Sequence, residues 1–462
     1  MTDIVRILEI ELNNFKNVKN GVIQMPSEQE EKYFEYSSDI VGIYGQNGSG
    51  KTAVIQAMAF IQRLLMGESL PANFADYINK QENECGIRVK FSIESAGKKA
   101  VCEYEIKIEK EDLNIKEEIL SAAIWNGEKF SKKKNMLKYN RYDEKHEITP
   151  ILRYDSLIKA NRDNKVNLTV AKRISEKDKC SFLFGNEGKK IFIEGTVNEE
   201  YSFIIKSLAE YAKMSLFVVE SGHSAAISMS LFVPFSFRVE YDKGTAKGEL
   251  PIRIDKPSVI SEFEYELAER FIAEMNIVLC TLVPELSIQM KNHGKQLLEN
   301  GEDGYRIELL SERGDVIIPL AYESEGIIKI VSVLNVLMRV YSNPGVCFFI
   351  DEFDSGIFEF LLGELLTVLE KGAKGQFVFT SHNLRALEMI SKNSLVFSTT
   401  NPHNRYIRLQ NVKTNNNLRD MYLRTINLGG QEEEVYAMTD TVEIGRAFRR
   451  AGRIEKYGEQ RL

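Results

Sequence analysis

The opening stretch MTDIVRILEIELNNF sets Ile4, Ile7, Ile10 and Leu12 among charged neighbours, a pattern that predicts a strand; NNFKN supplies a turn, and residues 22–25 follow as a second extended segment at hairpin distance. Residues 39–44, DIVGIY, form a short β-branched run that stops at glycine and reads as a buried strand. From Thr52, Val54, Ile55, Met58, Ala59, Ile61 and Leu65 recur at helical spacing. IRVKFSIES and VCEYEIKIEKED alternate, as antiparallel strands do. Residues from about 110 to 250 mix lysine-rich stretches with apolar runs at 202–220 and 228–237, and give shape without chemistry. Residues 259–285 predict one long helix, LSIQMKNHG and YRIELLSERGDVIIPL resume the strand pattern, and EGIIKIVSVLNVLMRVYSN predicts an apolar helix ending before Pro344. VCFFIDEFD and FVFTSH are apolar strands on either side of the helical GIFEFLLGELLTVLEKG, an order with parallel-sheet character. No repeat of solenoid period occurs, and the longest low-complexity linker is NVKTNNN.

Composition narrows the classes. With 462 residues, 43% of them hydrophobic, the chain can bury a large core. Its 60 Lys and Arg against 67 Asp and Glu give a net charge of −7, which argues against a wholly cationic nucleic-acid coat but leaves local basic faces open. The cysteines, five in number and without a CxxC pair, exclude a disulfide framework and a zinc ribbon, and the five histidines form no HExxH. Charges near the N-terminus argue against a signal peptide, and no apolar run approaches the roughly 20 residues of a membrane span. A cytoplasmic protein without a membrane segment is expected.

The strongest chemical signal is Gly45-Gln46-Asn47-Gly48-Ser49-Gly50-Lys51-Thr52, a complete GxxxxGK[ST] phosphate loop between a buried strand and an amphipathic helix. Glycines let backbone amides converge on phosphate oxygens, the helix presents its N-terminus, Lys51 neutralises the β and γ phosphates of ATP, and Thr52 ligates Mg2+. A bare glycine-rich turn is the competing reading. Next, Val346-Cys-Phe-Phe-Ile-Asp351-Glu352 closes an apolar strand with two carboxylates: Asp351 to hold the metal or its water shell, Glu352 to orient or deprotonate the attacking water. The third signal, Phe377-Val-Phe-Thr-Ser-His382-Asn383, ends a strand on a histidine able to bond the γ phosphate or the water, although Ser381 and Asn383 would also serve as helix caps.

In this order (phosphate loop, long insertion, Glu323-Ser324-Glu325-Gly326, FFIDEFD, TSHN) the chain resembles ABC-type ATPases of the RecF/SMC class. It looks closest to bacterial ATPases related to the OLD (overcoming lysogenization defect) proteins and to abortive-infection systems, with Asn14-Phe15-Lys16 before the loop as in that class. The resemblance covers residues 1–95 and 305–400 and implies an α/β ABC-type nucleotide-binding domain built from both chain ends. It also implies that Ser324 and Gly326, in place of the LSGGQ signature, contact the γ phosphate held by the opposite subunit. Ser324 as a simple helix cap is the alternative. The sequence departs from the family after DEFD, where Ser355-Gly356-Ile357-Phe358 replaces a histidine-proline pair, and the only candidate for the glutamine of the Q-loop, Gln81, reads as a surface residue. OLD proteins carry a nuclease domain with an Asp-x-Asp pair; residues 383–462 contain no strand ending that way, so the nuclease is expected to be missing.

The domain reading follows: residues 1–110 as the N-terminal part of the ATPase domain, 111–300 as a mixed insertion with a helical arm for partner or oligomer contacts, 301–400 as the C-terminal part, and 401–462 as a tail. The resemblance implies an ATPase working as a homodimer or higher homo-oligomer that controls a separate effector, a nuclease or toxin, in antiphage defence. A RecF-like DNA clamp and an ATP-bound assembly scaffold with little turnover are the alternatives. Lys132–Lys134 and Lys189-Lys190, with Tyr139, Arg141 and Tyr142, raise direct DNA contact, but interspersed acids dilute the charge.

Overall fold

Ile4–Phe15 (β1) and Val18–Gln24 (β2) form the N-terminal hairpin, the second strand starting four residues before the expected position because Asn14 and Lys16, both at positive φ, complete the reversal early. Asp39–Tyr44 (β3) is a fully buried strand, and the helix Lys51–Met66 (α1) follows it. The computed structural model describes residues 3–194, 199–220, 232–241, 244–298, 301–409, 417–428 and 432–458.

Glu84–Ser95 (β4), Lys98–Glu109 (β5), Ile115–Ile124 (β6), Lys134–Asn140 (β7) and Ile148–Thr149 (β8) continue the hairpin into a seven-stranded antiparallel sheet, ordered β2-β1-β4-β5-β6-β7-β8. Residue 110 therefore falls between two neighbouring strands of one sheet. The helices Ile151–Ala160 (α2), Asn164–Asp178 (α3) and Glu199–Met214 (α4) follow, and the strand Leu216–Val219 (β9) then leaves the insertion for the central sheet. The apolar run at 202–220 is thus a helix followed by a strand. Of the run at 228–237, residues 228–231 lie outside the described residues, as do 411–416 of the NVKTNNN linker, and the rest opens Phe232–Tyr241 (β10), paired with Gly244–Arg253 (β11).

The stretch expected to be one helix over 259–285 begins as a strand, Ser258–Ser261 (β12), and becomes the helix Glu262–Leu282 (α5). The switch lies in a capping box: Ser261 Oγ accepts from Glu264 N (3.3 Å) and Glu264 Oε2 accepts from Ser261 N (2.7 Å). Leu286–Leu297 (β13), Asp303–Arg313 (β14) and Val316–Pro319 (β15) complete a small antiparallel sheet with β12. The 21-residue α5 lies on that sheet, burying Leu267, Phe271, Met275 and Leu279, with the Asn276 carboxamide bonded to both the N–H and the C=O of Ile288 (2.9 Å each). An apolar stripe at i, i+4, i+8 and i+12 is the face that a packed helix turns to its core.

Beyond Glu325–Ser342 (α6) come Cys347–Ile350 (β16), Glu359–Gly372 (α7), Gln376–Thr380 (β17), Leu395–Ser398 (β18), Tyr406–Ile407 (β19), Leu418–Leu428 (α8) and Thr441–Gly458 (α9). The central sheet runs β19-β18-β3-β17-β16-β9, parallel except for β19. Alternate residues feed two cores: Val41, Ile43, Phe349 and Val378 meet α1, α4 and the large antiparallel sheet, while Ile40, Phe348, Ile350 and Phe377 meet α5, α6 and α7. Burial on both faces explains why these strands read as unbroken apolar runs. The fold is α/β, an ABC-type nucleotide-binding domain assembled from strands of both chain ends around a large mixed insertion. Gln376 stitches the sheets together: its carboxamide accepts from Ile7 N (2.7 Å) and donates to Ile7 O (2.6 Å) and to Asp39 (2.7 Å), which also pairs with the buried Arg6 (3.1 Å).

Candidate functional site

β3 ends at Tyr44, and the chain then wraps into α1 through Gly45, Gly48 and Gly50, all at positive φ. Gly50 is the N-cap in the left-handed region, where a side chain would be strained and would press on Val18. Lys51 is buried, and its ammonium donates to the carbonyls of Gly45 (2.9 Å) and Gln46 (3.0 Å). Burial pushes its pKa down, opposed by the charges of Asp351, Glu352 and Asp354. Such a cation, supplied only with neutral acceptors by the loop, is poised for an anion of higher charge.

β16 delivers Asp351 and Glu352 opposite the loop. Asp351 Oδ1 accepts from Thr380 Oγ1 (2.6 Å) and Thr52 Oγ1 (3.3 Å), while the buried Oδ2 has no hydrogen-bond partner. Glu352 sits in left-handed backbone (φ 51°), its N–H donating to Thr380 Oγ1 (2.7 Å) and its C=O accepting from Ser355 N (3.1 Å) and Lys329 Nζ. Asp354 Oδ2 accepts from the backbone amides of His382 (2.9 Å) and Asn383 (2.8 Å) and so fixes the end of β17. Burial, then the nearby Lys51 charge, hold the His382 imidazole below its ordinary pKa, leaving it neutral at pH 7 with one N–H to donate.

A cavity of about 590 Å³ unites Asn47, Gly48, Gly50, Lys51, Thr52, Asp351, Glu352 and His382, the groups three separate motifs had nominated. Gly45 and Ser49 belong to the loop but do not line this cavity; Gly45 O accepts from Lys51 Nζ, and Ser49 Oγ bonds Gln46 O (2.6 Å) and Ser398 Oγ. Ser324 and Gly326 do not reach the cavity of their own chain. Ser324 is the exposed N-cap of α6, accepting from Ile327 N (3.4 Å). Gly326 is buried, and a Cβ there would come within 2.1 Å of Gly356 O, so its missing side chain is required by packing against the chain's own 354–357 turn.

Several participants carried no chemical assignment in the motifs. Lys16 and Gln56 line the cavity and bond each other (2.7 Å), and Gln56, not the exposed Gln81, is the glutamine at this site. Burial lowers the Lys16 pKa against the pull of Asp351 and Glu220. Asn17 Nδ2 donates to Gly48 O, Arg405 holds Asn17 O (2.6 Å), and Tyr406 OH donates to Gly50 O (2.6 Å). Residues beyond 400 thus buttress the loop, and Ala437 N donates to Gln46 Oε1 (3.0 Å). Lys16 closes the Asn14-Phe15-Lys16 segment that the family resemblance marks, and Asn17 follows it; nothing local announces Arg405 or Tyr406.

Several cations of the lysine-rich segments are paired with acids. Lys133 pairs with Glu103 (2.9 Å), Lys134 with Glu200 (3.1 Å), Arg141 with Asp112 (2.6 Å) and Glu109 (3.0 Å), and Lys190 with Glu187 (2.8 Å). Tyr142 OH donates to Glu109 (2.7 Å), Lys189 Nζ to Met66 O (2.9 Å), and Tyr139 is buried against Phe182, out of reach of a base.

Loop, carboxylate strand and histidine meet at the ends of the strands of a central parallel sheet, an arrangement suited to holding a nucleotide's phosphates. In agreement, residues 9–223 match the AAA domain family. No curated protein matches the chain. Among solved structures it is similar to the Smc head domain with an extended coiled coil bound to the C-terminal domain of ScpA derived from Pyrococcus furiosus, at 15% identity over 88% of this chain and 96% of that one, with a TM-score of 0.41. It is also similar to the SMC head domain from Thermotoga maritima, at 13% identity over 88% and 99% with a TM-score of 0.37. At such identities and scores these likenesses bear on neither activity nor partner. Among the described residues no helix is long and apolar enough to cross a membrane.

Proposed function

We propose that the chain hydrolyses ATP as a nucleotide-gated homodimer or higher homo-oligomer and controls a separate effector protein, in bacterial antiphage defence. The loop amides and Lys51 bind the β and γ phosphates, Glu352 orients and deprotonates the attacking water, and His382 donates to the γ phosphate. Mg2+ fits beside Thr52 and the unpartnered Asp351 Oδ2, where the cation would neutralise developing phosphate charge. Among the described residues no group of three or more His, Cys, Asp or Glu could hold a metal ion, so phosphate oxygens and water must complete the coordination.

The observation that carries the dimer is the position of Ser324: exposed, at the start of α6, and outside its own nucleotide cavity. Tyr322 (79% exposed) precedes it, and Phe358 (69%) follows the 354–357 turn packed on Gly326, so exposed aromatics of the kind enriched at interfaces flank it. Ser324 then meets the partner's γ phosphate. Mixing Lys51→Ala with Ser324→Arg chains, each inactive alone, should recover up to about a quarter of wild-type turnover, because random exchange leaves one intact site in half of the dimers. No recovery in demonstrably exchanging mixtures would mean that the site is not shared or that both sites must fire together, and cross-linking of position 324 to position 51 between subunits decides which. Ser324 is the better target than Gly326, where any side chain strikes Gly356 of its own subunit.

The defence role rests on the family resemblance of the motifs. The acid-paired lysines favour it over a RecF-like clamp. Purified chain with Mg2+ or Mn2+ should leave plasmid DNA intact and bind DNA weakly; affinity with a steep salt dependence would instead favour the clamp, and metal-dependent cutting lost on mutating the chain's own carboxylates would overturn the separate effector. Turnover indistinguishable from background would favour the scaffold.

A further inference from the structure

Lys329 belongs to no motif, yet it is among the least expected residues in the molecule: a lysine 4% exposed, in the second turn of a helix whose neighbours in sequence are almost all apolar. Lysines are rarely buried unless paired. Its ammonium reaches across from α6 to the carbonyl of Glu352, and the carboxylates of Asp354, Glu352 and Asp351 oppose the loss of charge that burial favours.

The recipient is a residue with unusual backbone. Glu352 is in the left-handed region, which a side chain adopts only when its surroundings hold it there. Two side chains from other elements do so: Thr380 of β17 takes its N–H (2.7 Å), and Lys329 of α6 gives to its C=O, which Ser355 N also reaches (3.1 Å). A regular strand continuing through Glu352 would not need either. We propose that Lys329 is a positioning residue for hydrolysis, holding the Glu352 peptide in the conformation that turns its carboxylate into the nucleotide cavity. The proposal rests on the reading of Glu352 as the group that activates water. It adds a connection that the motifs do not contain. Lys329 lies five residues after Ser324 on the same helix, and the start of that helix is locked to the 354–357 turn by the Gly326–Gly356 contact. The helix that begins at Ser324 and the glutamate of the chain's own site are therefore joined by direct contacts.

The test compares Lys329→Met, Lys329→Gln and Glu352→Gln for ATP affinity, kcat, KM and thermal midpoint. Methionine fills the same volume without a donor or charge and suits an apolar helix, so the variant should fold. Its kcat should fall roughly 10- to 100-fold, as when the partner that orients an active-site group is removed, with KM and the ATP dissociation constant unchanged. Lys329→Gln, which keeps a donor of shorter reach, should recover part of the loss. Full kcat in Lys329→Met while Glu352→Gln is inactive would overturn the proposal and leave the glutamate's role standing. Normal turnover in Glu352→Gln would overturn both. Equal losses of ATP affinity and kcat, or a Lys329→Gln variant no better than methionine, would mark Lys329 as a packing or charge-balancing residue only. Failure of Lys329→Met to fold shifts the decision to Lys329→Gln, whose kcat must then fall at unchanged ATP affinity for the proposal to survive.

Discussion

Lys51→Ala should abolish ATP turnover and weaken ATP binding while leaving the fold intact. The ammonium is the cation that the loop itself carries into the cavity, and its hydrogen bonds are to the neutral carbonyls of Gly45 and Gln46. A bound polyphosphate offers it a stronger partner, and hydrogen bonds to charged groups contribute about 1.5–3 kcal/mol each. Loss of that contact should raise the ATP dissociation constant about 10- to 100-fold, and loss of the charge opposing γ-phosphate departure should lower kcat by at least about 100-fold more. Stability should move little or rise, because a desolvated ammonium is removed from a site where burial already works against its charge. Titration calorimetry, steady-state hydrolysis and a thermal melt separate the three effects. Near-normal hydrolysis by a folded variant would show that the loop does not hold the phosphates.

The parts of the site that the sequence announced are those in which one short segment does the whole job. A phosphate loop needs its glycines, lysine and threonine within eight residues, flanked by a strand and a helix, and all three requirements are contiguous from Asp39 to Met66. The carboxylate strand and the histidine strand are equally local, and their apolar runs follow from burial on both sheet faces. What joins them is not local. The pairing of β3 with β17 and β18 brings together segments more than three hundred residues apart, and no periodicity encodes which parallel strands become neighbours.

The supporting shell was illegible for the same reason. Thr380 reads as part of a strand end, Lys329 lies unremarked in a mostly apolar helix, and Arg405 and Tyr406 fall in the stretch read as a tail. Each acts by bonding backbone atoms far away in sequence, and a backbone acceptor leaves no residue-type signature at its own position. The insertion is illegible for a related reason: its strands alternate as any half-buried sheet does, and nothing in that pattern marks the continuation of the N-terminal sheet through β6, β7 and β8 or the return of β9 to the central sheet.

Glu352→Gln should separate binding from hydrolysis. The amide keeps the size of the side chain, and the backbone bonds to Thr380 and Lys329 do not involve the carboxylate, so the turn should keep its shape and the loop its grip on ATP. What the amide lacks is the capacity to take a proton from water. Turnover should therefore fall about 100- to 10,000-fold, the range for removing a general base, with the ATP dissociation constant changed by less than about threefold. If ATP closes two subunits around Ser324 and hydrolysis opens them, the variant should also accumulate a closed assembly in ATP that wild type passes through transiently. Light scattering on a sizing column would register this as a doubling or more of mass in ATP, reversed on exchange into ADP and absent in Lys51→Ala. Slow hydrolysis without any mass shift would retain Glu352 as the base and reject gating by assembly. A mass shift with hydrolysis intact would do the reverse, moving the water-activating role to another group in the cavity, of which His382, neutral and bonded through its backbone to Asp354, is the nearest in chemistry.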